Sequence, residues 1–336
     1  MKPQAGSPRK TPSILYREGV VTFEDIWTMN RAMKTCIEKA RLVAPHDIDV
    51  LILGETGTGK NLLAQAIHNA SPRRKHPFVA VNAAAIPGTL LSAELFGRER
   101  GAYTDAREAR RGYFEQAHRG TLFLDEIGDL SAESQEKMIT AIETKRVQRL
   151  GAERPVDCDI RLISATNADI KSAIEEGRFR RDLYHRLARL ELRLPPLRDR
   201  PEDLEMLAAR FVERANVQFS RHVRRVSSEC LARMLDYPWP GNVRELRGKI
   251  DAAMVTCIEE ELQVEDVFPE LQDGGSGGTA AGMEFAMETM ERRHILKVLK
   301  MTGWNITRAA ALLHIARPTV YEKLKKFGMR PPADGG

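Results

Sequence analysis

The ten residues Leu51-Ile52-Leu53-Gly54-Glu55-Thr56-Gly57-Thr58-Gly59-Lys60 constrain the fold more than any other stretch of the chain. Residues 49–53 are apolar after Asp49 and read as a short buried strand. Three glycines in the next six residues let the backbone wrap tightly. Leu62, Leu63, Ala66 and Ile67 then recur at helical spacing over 61–69. Strand, glycine-rich turn and helix N-terminus together aim backbone N–H groups and a positive dipole end at one spot. A phosphate chain fits there, with Lys60 reaching its β- and γ-phosphates. Gly54, Glu55, Thr56, Gly57, Thr58, Gly59, Lys60 and Asn61 are therefore the candidate nucleotide-binding residues. Asn61 stands where the general pattern places a magnesium-binding Ser or Thr.

Around this site the chain alternates helical and strand patterns. Apolar positions from Ile26 to Ala40 predict one helix over 22–44. Residues 78–81 form a second strand ending at Asn82; 121–124 form a third ending at Asp125-Glu126; 160–164 form a fourth ending at Thr166-Asn167. Continuous apolar strands separated by helices imply a parallel sheet covered on both faces. Ligands bind such sheets at the carboxyl ends of the strands, where these polar residues fall. Asp125 suits magnesium. Glu126 can orient and partly deprotonate an attacking water. Asn82 is expected to hold Glu126 through its amide, and Asn167 to sense the γ-phosphate.

Between the second and third strands, Gly101-Ala102-Tyr103-Thr104-Asp105-Ala106 reads as a polar loop presenting one aromatic ring, a contact candidate. After the fourth strand, residues 177–186 carry Arg178, Arg180, Arg181 and Arg186. Guanidinium groups there suit either a salt-bridged surface helix or donation to a neighbour's nucleotide. Pro201 opens a helix with Leu204, Leu207, Phe211 and Ala215 on one face. Ser227 or Ser228 caps a second helix, and a third starts at Val243-Arg244, making a small helical lid. Gly274-Gly275-Ser276-Gly277-Gly278 is a flexible linker.

The net charge of +5 is unevenly spread: residues 283–330 hold ten Lys/Arg and four Asp/Glu, and the remainder is about −1. A basic excess confined to one terminal segment points to a polyanion. That segment reads as helices over 285–300 and 305–313 and a third opening at Pro318, with Val320, Leu324 and Phe327 inward. Arg308, Arg317, Thr319, Glu322, Lys323, Lys325 and Lys326 are the candidate DNA-facing residues of a helix-turn-helix. No apolar run reaches membrane-spanning length, and residues 1–10 lack the apolar core of a signal peptide. Cys36, Cys158, Cys230 and Cys257 are far apart, as expected of reduced core thiols in a cytoplasmic protein.

With these residues assembled, the chain resembles a bacterial enhancer-binding protein, an NtrC-like AAA+ activator of sigma-54 RNA polymerase with a Fis-type helix-turn-helix. The resemblance rests on Gly54-to-Lys60, Glu94-Leu95-Phe96-Gly97, Gly120-Thr121-Leu122-Phe123-Leu124-Asp125-Glu126, Ala165-Thr166-Asn167, Leu194-Pro195-Pro196-Leu197-Arg198 and Trp239-Pro240-Gly241-Asn242-Val243-Arg244-Glu245-Leu246. Asn305-Ile306-Thr307-Arg308-Ala309-Ala310 and Thr319-Val320-Tyr321-Glu322-Lys323-Leu324 extend it to the C-terminal module. It implies ATP and Mg2+ as cofactors, with Asn82 as a switch on Glu126 and Thr166 with Asn167 as first sensor. Arg180 and Arg186 become trans arginine fingers, Arg244 the second sensor, and Asn61 an ordinary family residue. Residues 101–106 become the sigma-contact loop, and the active form a hexamer with paired DNA-binding domains on an upstream site, controlled in trans or by assembly alone.

The implied fold is α/β: a disordered tail (1–20), an AAA+ P-loop core with a parallel sheet (21–198), a helical lid (199–270), a linker (271–283) and an all-α helix-turn-helix (284–330). Two positions depart from the family. Its contact hexapeptide is Gly-Ala-Phe-Thr-Gly-Ala, whereas this chain has Tyr103 and Asp105 in it; the turn of the DNA-binding module carries His314 where Gly is usual. Asp105 leaves open a second reading, a DNA-binding repressor or activator with other sigma factors whose ATP site controls oligomerisation.

Overall fold

A computed structural model describes residues 20–100, 108–257 and 259–269, then 295, 298–299, 302–313, 315–327 and 329. Expectations for residues 1–19, the loop 101–106, the linker 271–283, most of 285–300 and His314 lie outside the described residues. The chain divides into two compact units, 1–269 and 270–336.

The first unit is built on five parallel strands: β1 (Val50–Leu53), β2 (Phe78–Asn82), β3 (Thr121–Asp125), β4 (Arg161–Thr166) and β5 (Leu190–Arg193). Their order is β2-β3-β4-β1-β5, with Leu53 beside Thr166 and Asn82 beside Asp125. All six residues of β4 are buried, because helices cover both faces. Alternation along β1 sends Leu51 to one core with Leu122, Phe96 and Met138, and Val50 with Ile52 to the other with Ile37, Leu63 and Ile163. β5 was not legible in the sequence: Leu190-Glu191-Leu192-Arg193 is short and alternates with charges, as an edge strand does.

The helix expected over 22–44 is broken in two. A single turn, Phe23–Asp25, precedes α1 (Arg31–Val43). The break has a partner in the lid: the Asp203 carboxylate accepts from the Thr28 hydroxyl at 2.7 Å and the Asn30 N–H at 3.1 Å, and Asn30 then caps α1 through Met33. At the other end of α1 the buried Arg161 guanidinium donates to the carbonyls of Ala44 (2.8 Å) and Val43 (3.0 Å). Further helices of the core are α2 (Lys60–Asn69), α3 (Gly88–Phe96), α4 (Ala132–Thr144) and α5 (Arg181–Leu187).

The lid holds the three expected helices, α6 (Pro201–Phe219), α7 (Ser228–Asp236) and α8 (Asn242–Thr256). Ser227 is the cap of α7, accepting from Cys230 N. Leu204, Leu207, Phe211 and Ala215 meet Trp239, Leu246 and Ile250 in a core of their own. In the second unit, α9 (Ile306–Leu312) and α10 (Arg317–Lys326) bury Ala309, Ala310 and Val320, and Ala309 belongs to a cluster against which Leu324 and Phe327 pack. All four cysteines are free and buried, and no described helix is long and apolar enough to cross a membrane.

One buried base makes the core sensitive to acid. His68, on α2, pairs with the Thr121 hydroxyl at 2.9 Å and lies against Phe78. Burial, with Arg161 nearby, lowers its pKa from 6.5 to about 4. Between those values the unfolded chain binds a proton that the native state refuses, so stability falls as pH drops through that window. Urea midpoints measured from pH 7 to pH 4 are expected to decline less steeply for His68→Gln than for the parent chain.

Candidate functional site

The P-loop closes on itself around Lys60. Gly57 and Gly59 adopt φ of +82° and +108°, which only glycine takes without strain, and Gly59 precedes the first residue of α2. Lys60 is 5% exposed. Its ammonium donates to Gly54 O at 2.9 Å and lies 3.6 Å from Glu126 Oε1. Glu126 itself is left-handed, φ 54° and ψ 51°, an uncommon state for a non-glycine residue. Its other oxygen accepts the Asn167 N–H at 3.0 Å, so both carboxylate oxygens are engaged at the carboxyl edge of the sheet.

Asp125 ends β3 beside Glu126. Burial raises its pKa; Lys60 opposes that, and the neighbouring Glu126 charge adds to it. Two adjacent, half-buried carboxylates thus face Lys60, with Arg244 adding a weaker opposing field, and their oxygens form a donor pair that suits a hard divalent cation. Asp125 fits magnesium on that ground.

Asn82 does something other than expected. Its side-chain oxygen accepts the Ala84 N–H at 2.9 Å, capping a turn, and Glu126 is held by Lys60 and Asn167 instead. Asn82 still lies opposite Asp125 in the strand register. Thr166 is buried and its hydroxyl accepts from Ala168 N, whereas the Asn167 amide donates to the Thr56 hydroxyl at 2.9 Å. The residue that follows β4 therefore touches the P-loop directly.

The lid grips the same loop, a feature that sequence reasoning missed. Glu55 takes both guanidinium nitrogens of Arg198, at 2.6 and 2.8 Å, and Arg198 with Asn242 holds its carboxyl below the usual range. Asn242, fully buried, accepts Leu197 N at 2.7 Å and donates to Thr56 O at 3.0 Å and Glu55 at 3.2 Å. Arg244 donates its backbone N–H to Gly57 O, and a Cβ on Gly57 would come within 2.1 Å of Gly241 O. The only signal available was that Arg198 and Asn242 sit in the Leu-Pro-Pro-Leu-Arg and Trp-Pro-Gly-Asn motifs.

Arg180, the N-cap of α5, and Arg186, within it, bond to none of these groups among the described residues. Arg180 pairs with Asp182 at 2.7 Å and is half exposed; Arg186 pairs with Glu143 at 3.1 Å. The stem of the contact loop is an antiparallel pair, Gly97–Arg98 with Arg110–Arg111. Arg149 ties it down, bonding Glu99 at 2.8 Å and both oxygens of Glu115 at 2.7 and 2.8 Å. In the second unit Arg308, Arg317, Glu322, Lys325 and Lys326 are exposed, Thr319 and Lys323 half-buried. Tyr321, absent from the expected DNA-facing set, is 59% exposed on α10.

The sequence matches the Sigma-54 interaction domain over residues 26–193, an AAA+ ATPase lid domain over 198–283 and the Fis family of bacterial regulatory proteins over 286–327. It is 39% identical over 311 residues to the transcriptional regulatory protein GlrR of Escherichia coli (strain K12), covering 93% of this chain and 68% of that protein. The chain belongs to the sigma-54-dependent AAA+ activators. Within that family it is also 38% identical over 319 residues to the DNA-binding transcriptional activator HyfR of Escherichia coli (strain K12), covering 91% of this chain and 48% of HyfR. The chain thus spans roughly half to two thirds of these curated relatives. Among solved structures, NtrX from Brucella abortus in complex with ADP superposes with a TM-score of 0.69 at 30% identity, covering 91% of this chain and 70% of that one. NtrX in complex with ATP matches equally, with 90% of this chain covered.

The two lid contacts differ in expected weight. Asn242→Ala strands the buried Leu197 amide and also removes the bond to Thr56 O, and is expected to cost about 1–3 kcal/mol in urea unfolding. Arg198→Ala, at a half-exposed pair, is expected to cost under about 1 kcal/mol.

Proposed function

We propose that this chain hydrolyses ATP at the carboxyl edge of its sheet and uses the resulting movement to remodel the sigma-54 RNA polymerase holoenzyme from an upstream DNA site. The observation that carries the reading is the convergence of Lys60, Asp125 and Glu126 on one spot beneath the P-loop, with the lid fastened to the same loop. The ADP and ATP complexes of NtrX support nucleotide binding in a chain of this fold.

Each residue has a definite task in this reading. Lys60 leaves its carbonyl partners for the β- and γ-phosphates. Asp125 would hold Mg2+, which neutralises charge on the phosphate oxygens. Glu126, already oriented by the Asn167 N–H, turns its carboxylate on a water in line with the γ-phosphate. Asn167, bonded to Thr56, reports the γ-phosphate to the P-loop and, with Thr166, serves as first sensor. Asn82 lies across from Asp125 and acts as a switch by approaching Glu126 when the nucleotide changes. Arg244 approaches from the lid. Arg180 and Arg186 face a neighbour's nucleotide in a hexameric ring, since neither bonds to the site of its own chain among the described residues. Tyr103 carries the motion to sigma-54, and α10 reads double-stranded DNA with Arg317, Lys325 and Lys326 outward. A cytoplasmic location follows from these partners.

Asp105 favours the other reading, in which nucleotide controls assembly and the DNA-bound protein acts without sigma-54. Transcription in vitro from a sigma-54 promoter separates the two. Lys60→Ala is expected to lose nucleotide binding, and Glu126→Ala to keep ATP while turnover drops on the order of a hundredfold or more. Tyr103→Ala is expected to keep hydrolysis and lose open complexes. Normal hydrolysis by the parent chain with no open complex under any condition would instead select the assembly reading.

A further inference from the structure

Gln135 is a buried polar side chain that none of the site residues explains. It lies in the second turn of α4 and is 1% exposed. A glutamine amide offers two N–H donors and an acceptor oxygen. Here Nε2 donates to Leu130 O at 2.9 Å and to Arg178 O at 2.9 Å, and Oε1 accepts the Arg180 N–H at 2.8 Å. All three partners are backbone groups, and they belong to two segments that no strand joins.

The first segment begins at Glu126. A single turn, Ile127–Asp129, follows it, closed by Asp129 N to Glu126 O and Leu130 N to Ile127 O. The second segment is the entry to α5. Arg178 N and Phe179 N both donate to Ala173 O, Phe179 is buried, and Tyr184 N donates to Arg180 O. The backbone at 178–180 is thereby fixed from both sides. The Arg180 side chain is not: its guanidinium is half exposed and paired with Asp182, two residues on. Such an exposed pair contributes little, so the guanidinium can exchange Asp182 for a phosphate without disturbing the main chain.

We propose that Gln135 is a positioning residue: it fixes the backbone from which Arg180 reaches a neighbouring subunit's nucleotide, and ties that backbone to the turn that follows Glu126. This rests on the reading of Arg180 as a group given in trans. In an assembled ring, Gln135 would then register the subunit's own catalytic turn with the arginine it lends next door. The alternatives are that Gln135 supports only the Glu126 turn of its own site, or merely fills the core.

Mixing variants distinguishes these. Gln135→Met keeps the length and removes all three bonds. Its turnover is expected to fall on the order of tenfold to a hundredfold, the effect of a misplaced catalytic group, with ATP affinity unchanged. Mixed with Glu126→Ala, which has an intact Arg180, it is expected to regain turnover. Mixed with Arg180→Ala, which shares its defect, it is expected to regain none. Recovery with Arg180→Ala but not with Glu126→Ala would overturn the proposal in favour of a role in its own site, and so would parent-level turnover of Gln135→Met alone. If Gln135→Met melts early, Gln135→Glu, of the same shape and retaining only the acceptor for Arg180 N, is read in the same pairs, and absence of recovery in both overturns the proposal as well. Arg180→Ala and Glu126→Ala failing to restore one another would sink the trans reading itself, and this inference with it.

Discussion

Two carboxylates and one ammonium meet where the central strands end, and the rest of the first unit is arranged to make that meeting tolerable. Lys60 is almost fully buried, yet its nearest anion is 3.6 Å away and its firmer bond goes to a carbonyl of its own loop. A buried charge in that position is costly unless several partners share it. Here the sharing is done by Gly54 O, Glu55 O and Glu126, while burial raises the Asp125 pKa against the pull of Lys60. A carboxylate shifted by burial beside specific charged partners is characteristic of a functional site.

Parallel register is what brings these groups together. Leu53 lies beside Thr166, 113 positions away, and Asn82 beside Asp125, 43 positions away, so residues distant in the chain become neighbours. The backbone accepts local strain to complete the arrangement, with Glu126 in the left-handed region between Asp125 and the following turn. Sub-ångström placement of such groups decides catalytic rate, which explains why so many of their neighbours are backbone hydrogen bonds, whose donors and acceptors are fixed by the main chain.

The lid belongs to the same device. Asn242 joins Leu197, Glu55 and Thr56, and Asp203 joins the lid to the segment that leads into α1. Hydrogen bonds thus lead outward from this region along two short paths: from the P-loop into the lid, and from the turn after Glu126 through Gln135 to the entry of α5. The stem below residues 101–106 has its own anchor in Arg149, which holds Glu99 and Glu115 at once. Guanidinium geometry suits that bridging, since one planar fork satisfies two carboxylates.

The amino-acid order alone determined the glycine-rich turn, three further strands, the helices of the lid and the basic C-terminal pair, because each rests on local periodicity or on a backbone state that few residues adopt. It also placed Asp125, Glu126 and Asn167 at strand ends and Lys60 at the helix start after the glycine-rich turn, which is where the fold puts them. Only the folded molecule decided who holds whom. Glu126 answers to Lys60 and Asn167 while Asn82 caps its own turn; β5 exists because β1 has a free edge to pair; and the break before Arg31 exists because Asp203 takes those amides from 173 or more residues away. Those outcomes depend on hydrogen-bond partners supplied across the sheet and the lid, and a linear pattern carries no information about which distant group arrives first.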